Sequence, residues 1–200
     1  MSKKLDFFFD FSSPYGYLAS RRIESIAEQH GRSVHWHPVL LGFIFKVTDS
    51  KPLVSFPLKG EYSIHDMKRC AREFNIPFNV PTNFPIGTVA AARAVLWAQK
   101  AHPEAATSLI HELYKQYFVD GLDISELQHV LAGADSVGID SKELGDALQD
   151  DAVKSMLKTS VDSAVGRGVF GSPFIIVDDE PFWGHDRLEH VSRWLDSGGW

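Results

Sequence analysis

Cysteine is almost missing. Cys70 stands alone in 200 residues, so no internal disulfide can form and a Cys-x-x-Cys redox pair is excluded. It sits in a polar, helical-looking stretch, DMKRCAREF. Basic charge is scarce too. The 20 Lys and Arg against 26 Asp and Glu leave a formal net charge of −6, with no lysine- or arginine-rich tract, so no nucleic-acid partner is expected. No apolar run approaches membrane-spanning length. Lys3-Lys4 is followed by only a few apolar residues before Asp10, which does not make a secretory leader. The chain closes at SGGW without an organelle address, and the expected location is the cytoplasm with no membrane partner. Among the nine histidines, His35 and His37 alternate on a strand while His65, His111 and His129 are dispersed. No His-x-x-x-His or Cys-rich set appears, and no metal is expected. A Gly-x-Ser-x-Gly elbow, internal repeats and low-complexity tracts are absent as well.

What is present suits a packed core, since 44% of the residues are hydrophobic. The run FFFDFSSPYGYL predicts a buried strand over about 5–11 that stops at Ser12-Ser13-Pro14. A helix follows, in which Leu18, Ile23 and Ile26 recur between charged residues. SVHWHPVLL at 33–41 reads as a second strand, so a right-handed parallel β-α-β opening is expected. From about 46 to 165 strand patterns nearly vanish. Lys51-Pro52, Phe56-Pro57 and Lys59-Gly60 lead into helical periods at about 61–75, 87–100, 103–118, 125–133, 141–148 and 150–166. SPFIIV, a turn at Asp178-Asp179-Glu180 and PFWG then read as a hairpin, and HDRLEHVSRWL as an amphipathic helix. The economical description is an α/β, thioredoxin-like fold. Residues 1–45 and 166–200 form one discontinuous domain, and 46–165 form an inserted all-helical domain.

That fold has two diagnostic turns, which here read Ser13-Pro14-Tyr15-Gly16 and Gly171-Ser172-Pro173-Phe174. Serine before proline at a helix start is the pattern of an N-cap followed by N1. The same geometry favours an anion by ~0.3–1 kcal/mol. Ser12 reads as a strand-end residue, although the pattern alone does not say which hydroxyl points inward. Taken alone, Pro173 is an ordinary trans proline, Asp186 a helix cap, Arg187 a surface residue, and Lys51 and Lys59 solvated loop lysines. Tyr15, Tyr17, Phe43, Phe45, Trp97 and Trp183 serve as core or pocket wall. A subset near Ser13, namely Tyr15, Phe43 and Trp183, suits an apolar slot for a flat aromatic substrate.

DFSSPYGYLAS, TDSKP, FPLKGEY, FGSPFIIV and FWGHDRLE, in that order, resemble the kappa-class glutathione transferases and the similar 2-hydroxychromene-2-carboxylate isomerases of the DsbA-like thioredoxin superfamily. The resemblance implies glutathione as cofactor, with Ser13 the catalytic residue whose hydroxyl hydrogen-bonds the thiolate and lowers its pKa. It implies a cis Pro173, with the backbone of Ser172 holding the cysteinyl part as an added strand. Asp186 would take the γ-glutamyl ammonium and His185 the α-carboxylate. Lys59 would meet a glutathione carboxylate, beside Ser50, which stands where relatives commonly carry Asn. Relatives are dimers, so a homodimer is expected. The favoured activity interconverts 2-hydroxychromene-2-carboxylate and trans-o-hydroxybenzylidenepyruvate in aromatic hydrocarbon catabolism. The alternatives are a kappa-like transferase that conjugates electrophiles and a non-redox, DsbA-like peptide-binding module.

Overall fold

The computed structural model describes residues 4–200; Lys3 of the Lys3-Lys4 pair and the first residues of the expected N-terminal domain lie outside them. Strand β1 (Lys4–Phe9) lies inside a four-stranded sheet, with β2 (Ser33–Pro38) on one side and β3 (Phe174–Val177) on the other, then β4 (Glu180–Trp183). β1 and β2 are parallel, and β1–β3 and β3–β4 are antiparallel. An interior strand is covered on both faces, which explains the unbroken apolar run. Leu5, Phe7 and Phe9 join Trp36, Ile175 and Val177 in one core cluster, while Phe8 joins Phe174, Ile176, Val39 and Ile44 in another. The β3–β4 hairpin turns on Asp178 and Asp179, both at positive φ. Two-residue turns of this kind need that conformation, and Asp tolerates it better than bulky residues do.

Helix α1 (Pro14–Gln29) makes the β1–β2 crossover and packs against α9 (Leu188–Ser197) near the C-terminus. Between β2 and β3 lie α2 (Leu41–Val47), α3 (Lys59–Glu73), α4 (Val89–Ala101), α5 (Ala106–Phe118), α6 (Leu127–Ser136), α7 (Ser141–Ala147) and α8 (Asp151–Gly166). In α4 the fully buried Ala91, Ala94 and Ala98 recur at helical spacing, and their small side chains allow α5 and α8 to approach closely. The helices share a core with the sheet: Phe11 packs on Tyr114 at 4.9 Å and Tyr17 on Phe118 at 5.4 Å between ring centroids. No helix among the described residues is long and apolar enough to cross a membrane.

Both opening strands are shorter than the sequence pattern predicts, β1 ending at Phe9 instead of about 11. The second strand stops at Pro38 instead of running to 41, and α2 follows where no helix is expected. Leu40, at its N-cap position, offers no side-chain cap. The capping oxygen comes from far away, since the Leu41 amide donates to Asp10 Oδ2 at 2.6 Å. A helix start whose cap sits 31 residues upstream leaves no local trace.

Candidate active site

Two turns from opposite ends of the chain meet beyond the C-terminal end of β1. Ser13 is the N-cap of α1: its Oγ accepts from the Gly16 amide at 3.0 Å, and Pro14 opens the helix. The same hydroxyl donates to the Ser172 carbonyl at 2.8 Å. Ser172 reciprocates, its Oγ accepting the Asp10 amide at 3.0 Å. The Ser172–Pro173 peptide is cis, as the resemblance implies, and Phe84–Pro85 is cis as well. Each bond contributes about 1 kcal/mol net, and together they seal a seam in which Ser13 is only 4% exposed. Glycine at position 16 is required by space, because a Cβ there would lie 2.8 Å from both Ser172 Oγ and the Tyr114 hydroxyl. With Pro14 lacking an N–H and Gly16 engaged by Ser13, Tyr15 offers the first-turn amide for which the described residues show no acceptor.

Asp10 organises the seam from beneath. Its carboxylate accepts from the amides of Ser12 and Leu41 and from the Thr88 hydroxyl, and its carbonyl accepts from Tyr114. Burial pushes its carboxyl above the usual carboxylate range, against the opposing pull of those donors. The sequence reading passed over Asp10, Thr88, Tyr114 and the Ser172 side chain. For Asp10 a trace was available: a lone carboxylate inside FFFDF has to be paired if it is buried.

A second convergence lies beside the first. The Tyr15 ring stacks on His185 with centroids 4.9 Å apart, and its hydroxyl donates to Asp66 Oδ2 at 2.7 Å. Arg69 also engages Asp66. Burial works against the charged carboxyl, but the donors Tyr15 and Arg69 outweigh it and hold Asp66 below its ordinary value. Burial, reinforced by Asp66, pushes the Tyr15 phenol far up, so it stays protonated. Burial also pushes the His185 imidazole down despite the nearby Asp186 and Asp66, leaving it neutral at pH 7. Its buried Nδ1 has no hydrogen-bond partner among the described residues. Asp186 follows on a short 3-10 turn (His185–Arg187), with 60% of its side chain exposed. It occupies neither cap position, since Gly184 precedes the turn and Arg187 precedes α9.

Of the remaining expected residues, Ser50, Lys51 and Phe45 line an open groove of about 430 Å³, together with Ser12, Leu41, Gly42 and Pro85 among others. Ser12, not the buried Ser13, faces this groove. Phe43 does not line it and Phe45 does: two residues apart on a helix differ by about 200°, so they face opposite ways. Lys51 and Lys59 flank the Phe56 ring, their Nζ atoms 4.4 and 5.6 Å from its centroid. Lys59 and Tyr15 are not groove residues. Trp183 packs against Phe170 at 4.9 Å, half-exposed, with its indole over Gly171, where a Cβ would meet Nε1 at 2.4 Å. It forms a shelf beside the Ser172 turn. The histidines are less dispersed than their numbering suggests. His35 and His37, two apart on a strand, share a face, and Asp6 meets both.

A parallel β-α-β unit and an antiparallel hairpin, joined in one sheet with a cis proline opposite the first helix start, define a thioredoxin-like protein. The chain belongs to the DSBA-like thioredoxin domain family, whose model matches residues 4–196. It is 26% identical over 201 residues to a 2-hydroxychromene-2-carboxylate isomerase of Sphingobium xenophagum, covering 98% of this chain and 99% of that protein. It is 27% identical over 207 residues to human glutathione S-transferase kappa 1, covering 98% and 92%. A solved 2-hydroxychromene-2-carboxylate isomerase superposes with a TM-score of 0.87 at 22% identity, covering 96% of this chain and 94% of that one.

Proposed function

We propose that this chain is a glutathione-dependent isomerase that interconverts 2-hydroxychromene-2-carboxylate and trans-o-hydroxybenzylidenepyruvate. The observation that carries the reading is the seam itself, where a hydroxyl at a helix N-terminus faces the carbonyl that precedes a cis proline. Relatives of both enzymatic kinds align over nearly the whole chain.

The residues present fit glutathione. The Ser172 carbonyl suits a peptide N–H, the Tyr15 amide an anion, the orphaned His185 Nδ1 a polar group of the γ-glutamyl end, and the exposed Asp186 its ammonium. When bound, glutathione supplies a thiolate whose reversible addition to a conjugated double bond permits rotation about it. Ser13 holds the decisive proton, which points at the Ser172 carbonyl. A ligand N–H donated to that carbonyl releases the Ser13 hydroxyl to turn toward an anionic sulfur, and the α1 dipole adds ~0.3–1 kcal/mol. Neutral His185 acts as a hydrogen-bonding group rather than a cation, so Lys59 and Lys51 supply the positive charge for carboxylates, with Ser50 beside them. Phe45 and Leu41 form the apolar wall against which an aromatic substrate lies.

The test is a spectrophotometric assay of 2-hydroxychromene-2-carboxylate with and without glutathione. The expected outcome is interconversion that requires glutathione and consumes none. The kappa relative supports a second reading, in which free thiol is lost and a stable conjugate accumulates. Absence of glutathione binding overturns both readings and leaves the peptide-binding module.

A further inference from the structure

Away from the seam, on the sheet face that carries Phe8, three potential ligands converge. Asp6 of β1 is the direct neighbour of His35 of β2, and His37 lies two residues further along the same face. Asp6 Oδ1 lies 3.1 Å from His35 Nδ1 and 2.7 Å from His37 Nε2, and the two imidazole centroids are 4.1 Å apart. All three ligand atoms fall within 4.8 Å of one another. Tetrahedral coordination with bonds of about 2.0–2.2 Å separates neighbouring ligand atoms by about 3.3 Å, so the carboxylate oxygen would have to move about 0.2 Å from His35 and about 0.6 Å from His37.

The orientation of the set is fixed by its surroundings. His37 stacks on Phe8 with centroids 4.6 Å apart and 16° between planes. Arg167, at the C-terminal cap of α8, donates to Asp6 Oδ2 at 2.7 Å and lies over the Phe8 ring. It therefore occupies one carboxylate oxygen and leaves the other facing the imidazoles, which is the arrangement of an outer-shell orienting group. His35 is 49% exposed on its side chain, so water reaches the open coordination position.

We propose that Asp6, His35 and His37 form a binding site for a borderline divalent transition-metal ion such as Zn²⁺, clipping β2 to β1. Two imidazoles and one carboxylate are donors that suit such an ion better than Mg²⁺ or Ca²⁺. Each imidazole binds through the nitrogen nearest Asp6 and carries its proton on the other. Asp6 precedes the seam residue Asp10 by four positions, roughly 13 Å along a strand, so the clip is separate from the proposed chemistry. A second trio, Asp66, Cys70 and His185, also lies close together. Its carboxylate is already held by Tyr15 and Arg69, and the Cys70 thiol is 3.8 Å from Asp66.

The experiment is calorimetric titration of the metal-stripped, tag-free full chain with Zn²⁺ in the absence of glutathione, paired with thermal melts. The expected result is one Zn²⁺ per chain, with affinity reduced at least roughly tenfold by His35→Gln and by His37→Gln and unchanged by Cys70→Ser. Zn²⁺ should raise the melting temperature of the unsubstituted protein but not of His35→Gln. In the unsubstituted chain, Co²⁺ should shift and broaden the His35 and His37 imidazole resonances, a readout that needs no variant to fold. Failure to bind Zn²⁺, wild-type affinity in His35→Gln, loss in Cys70→Ser alone, or unperturbed His35 and His37 resonances would each overturn the site.

Discussion

The seam between Ser13 and Ser172 and the groove in front of it differ in kind. In the seam the polar side chains are locked to one another: Ser13 serves Gly16 and Ser172, Ser172 serves Asp10, and Asp10 serves Ser12, Leu41 and Thr88. At the groove, the Lys51 ammonium rests over the Phe56 ring, 4.4 Å from its centroid. The seam joins residues more than 150 positions apart, whereas much of the groove is built from one stretch of chain, residues 41–52. A preorganised donor array suits charge that develops at one atom, and an open apolar rim suits selection among substrates.

The comparison is broken most severely by removing the seam's hydroxyl. Ser13→Ala should lower turnover at saturating glutathione by ~10²–10³-fold, the usual cost of losing one preorganised donor, with ~1 kcal/mol of stability lost from the cap. Ser12→Ala, on the groove side, should stay within a few fold in the same steady-state assay. Equal losses would assign the chemistry to the groove.

Asp186→Ala should weaken glutathione binding roughly ten- to hundredfold by calorimetry, since a hydrogen bond to a charged group contributes ~1.5–3 kcal/mol. Turnover at saturation should barely change, because the γ-glutamyl end is held equally in the ground and transition states.

Glycine substitutions compare the two regions directly. Gly16→Ala forces a Cβ to 2.8 Å from Ser172 Oγ and Tyr114 and should cost ~1–3 kcal/mol in urea unfolding. Gly42→Ala in α2 meets open space and should gain ~0.5–1 kcal/mol.

Acid should act through His185. Burial holds its folded-state pKa below the ordinary 6.5, so below that pH the unfolded chain binds the proton first. Stability should therefore fall as pH drops from about 6.5 toward the folded value. His185→Gln should flatten this slope when unfolding is measured at several pH values. The smallest effect is expected at Phe43, exposed and outside the groove: Phe43→Ser should shift stability by no more than about 0.5 kcal/mol.

Much of the architecture was legible because its causes are local. The run FFFDF announces a strand covered on both faces, helical spacing locates α3 through α8 within a few residues, and two Ser-Pro pairs mark the turns that meet. The aromatic walls were less legible. Phe43 and Phe45 are interchangeable as residue types, and only the phase of α2 separates the one that lines the groove from the one that does not.

The amino-acid order by itself determined the strand and helix types outside α2 and the cap at Ser13, since each depends on neighbours a few residues away, and a single cysteine excluded a thiol pair. Tertiary structure alone decided that Asp10 starts α2, that the Ser172 hydroxyl ties two turns together, and that Asp6 meets His35 and His37. Those bonds link residues 31, 162, 29 and 31 positions apart. A polar side chain has no preferred partner at such separations until burial removes water as the competitor, and burial is a property of the folded whole.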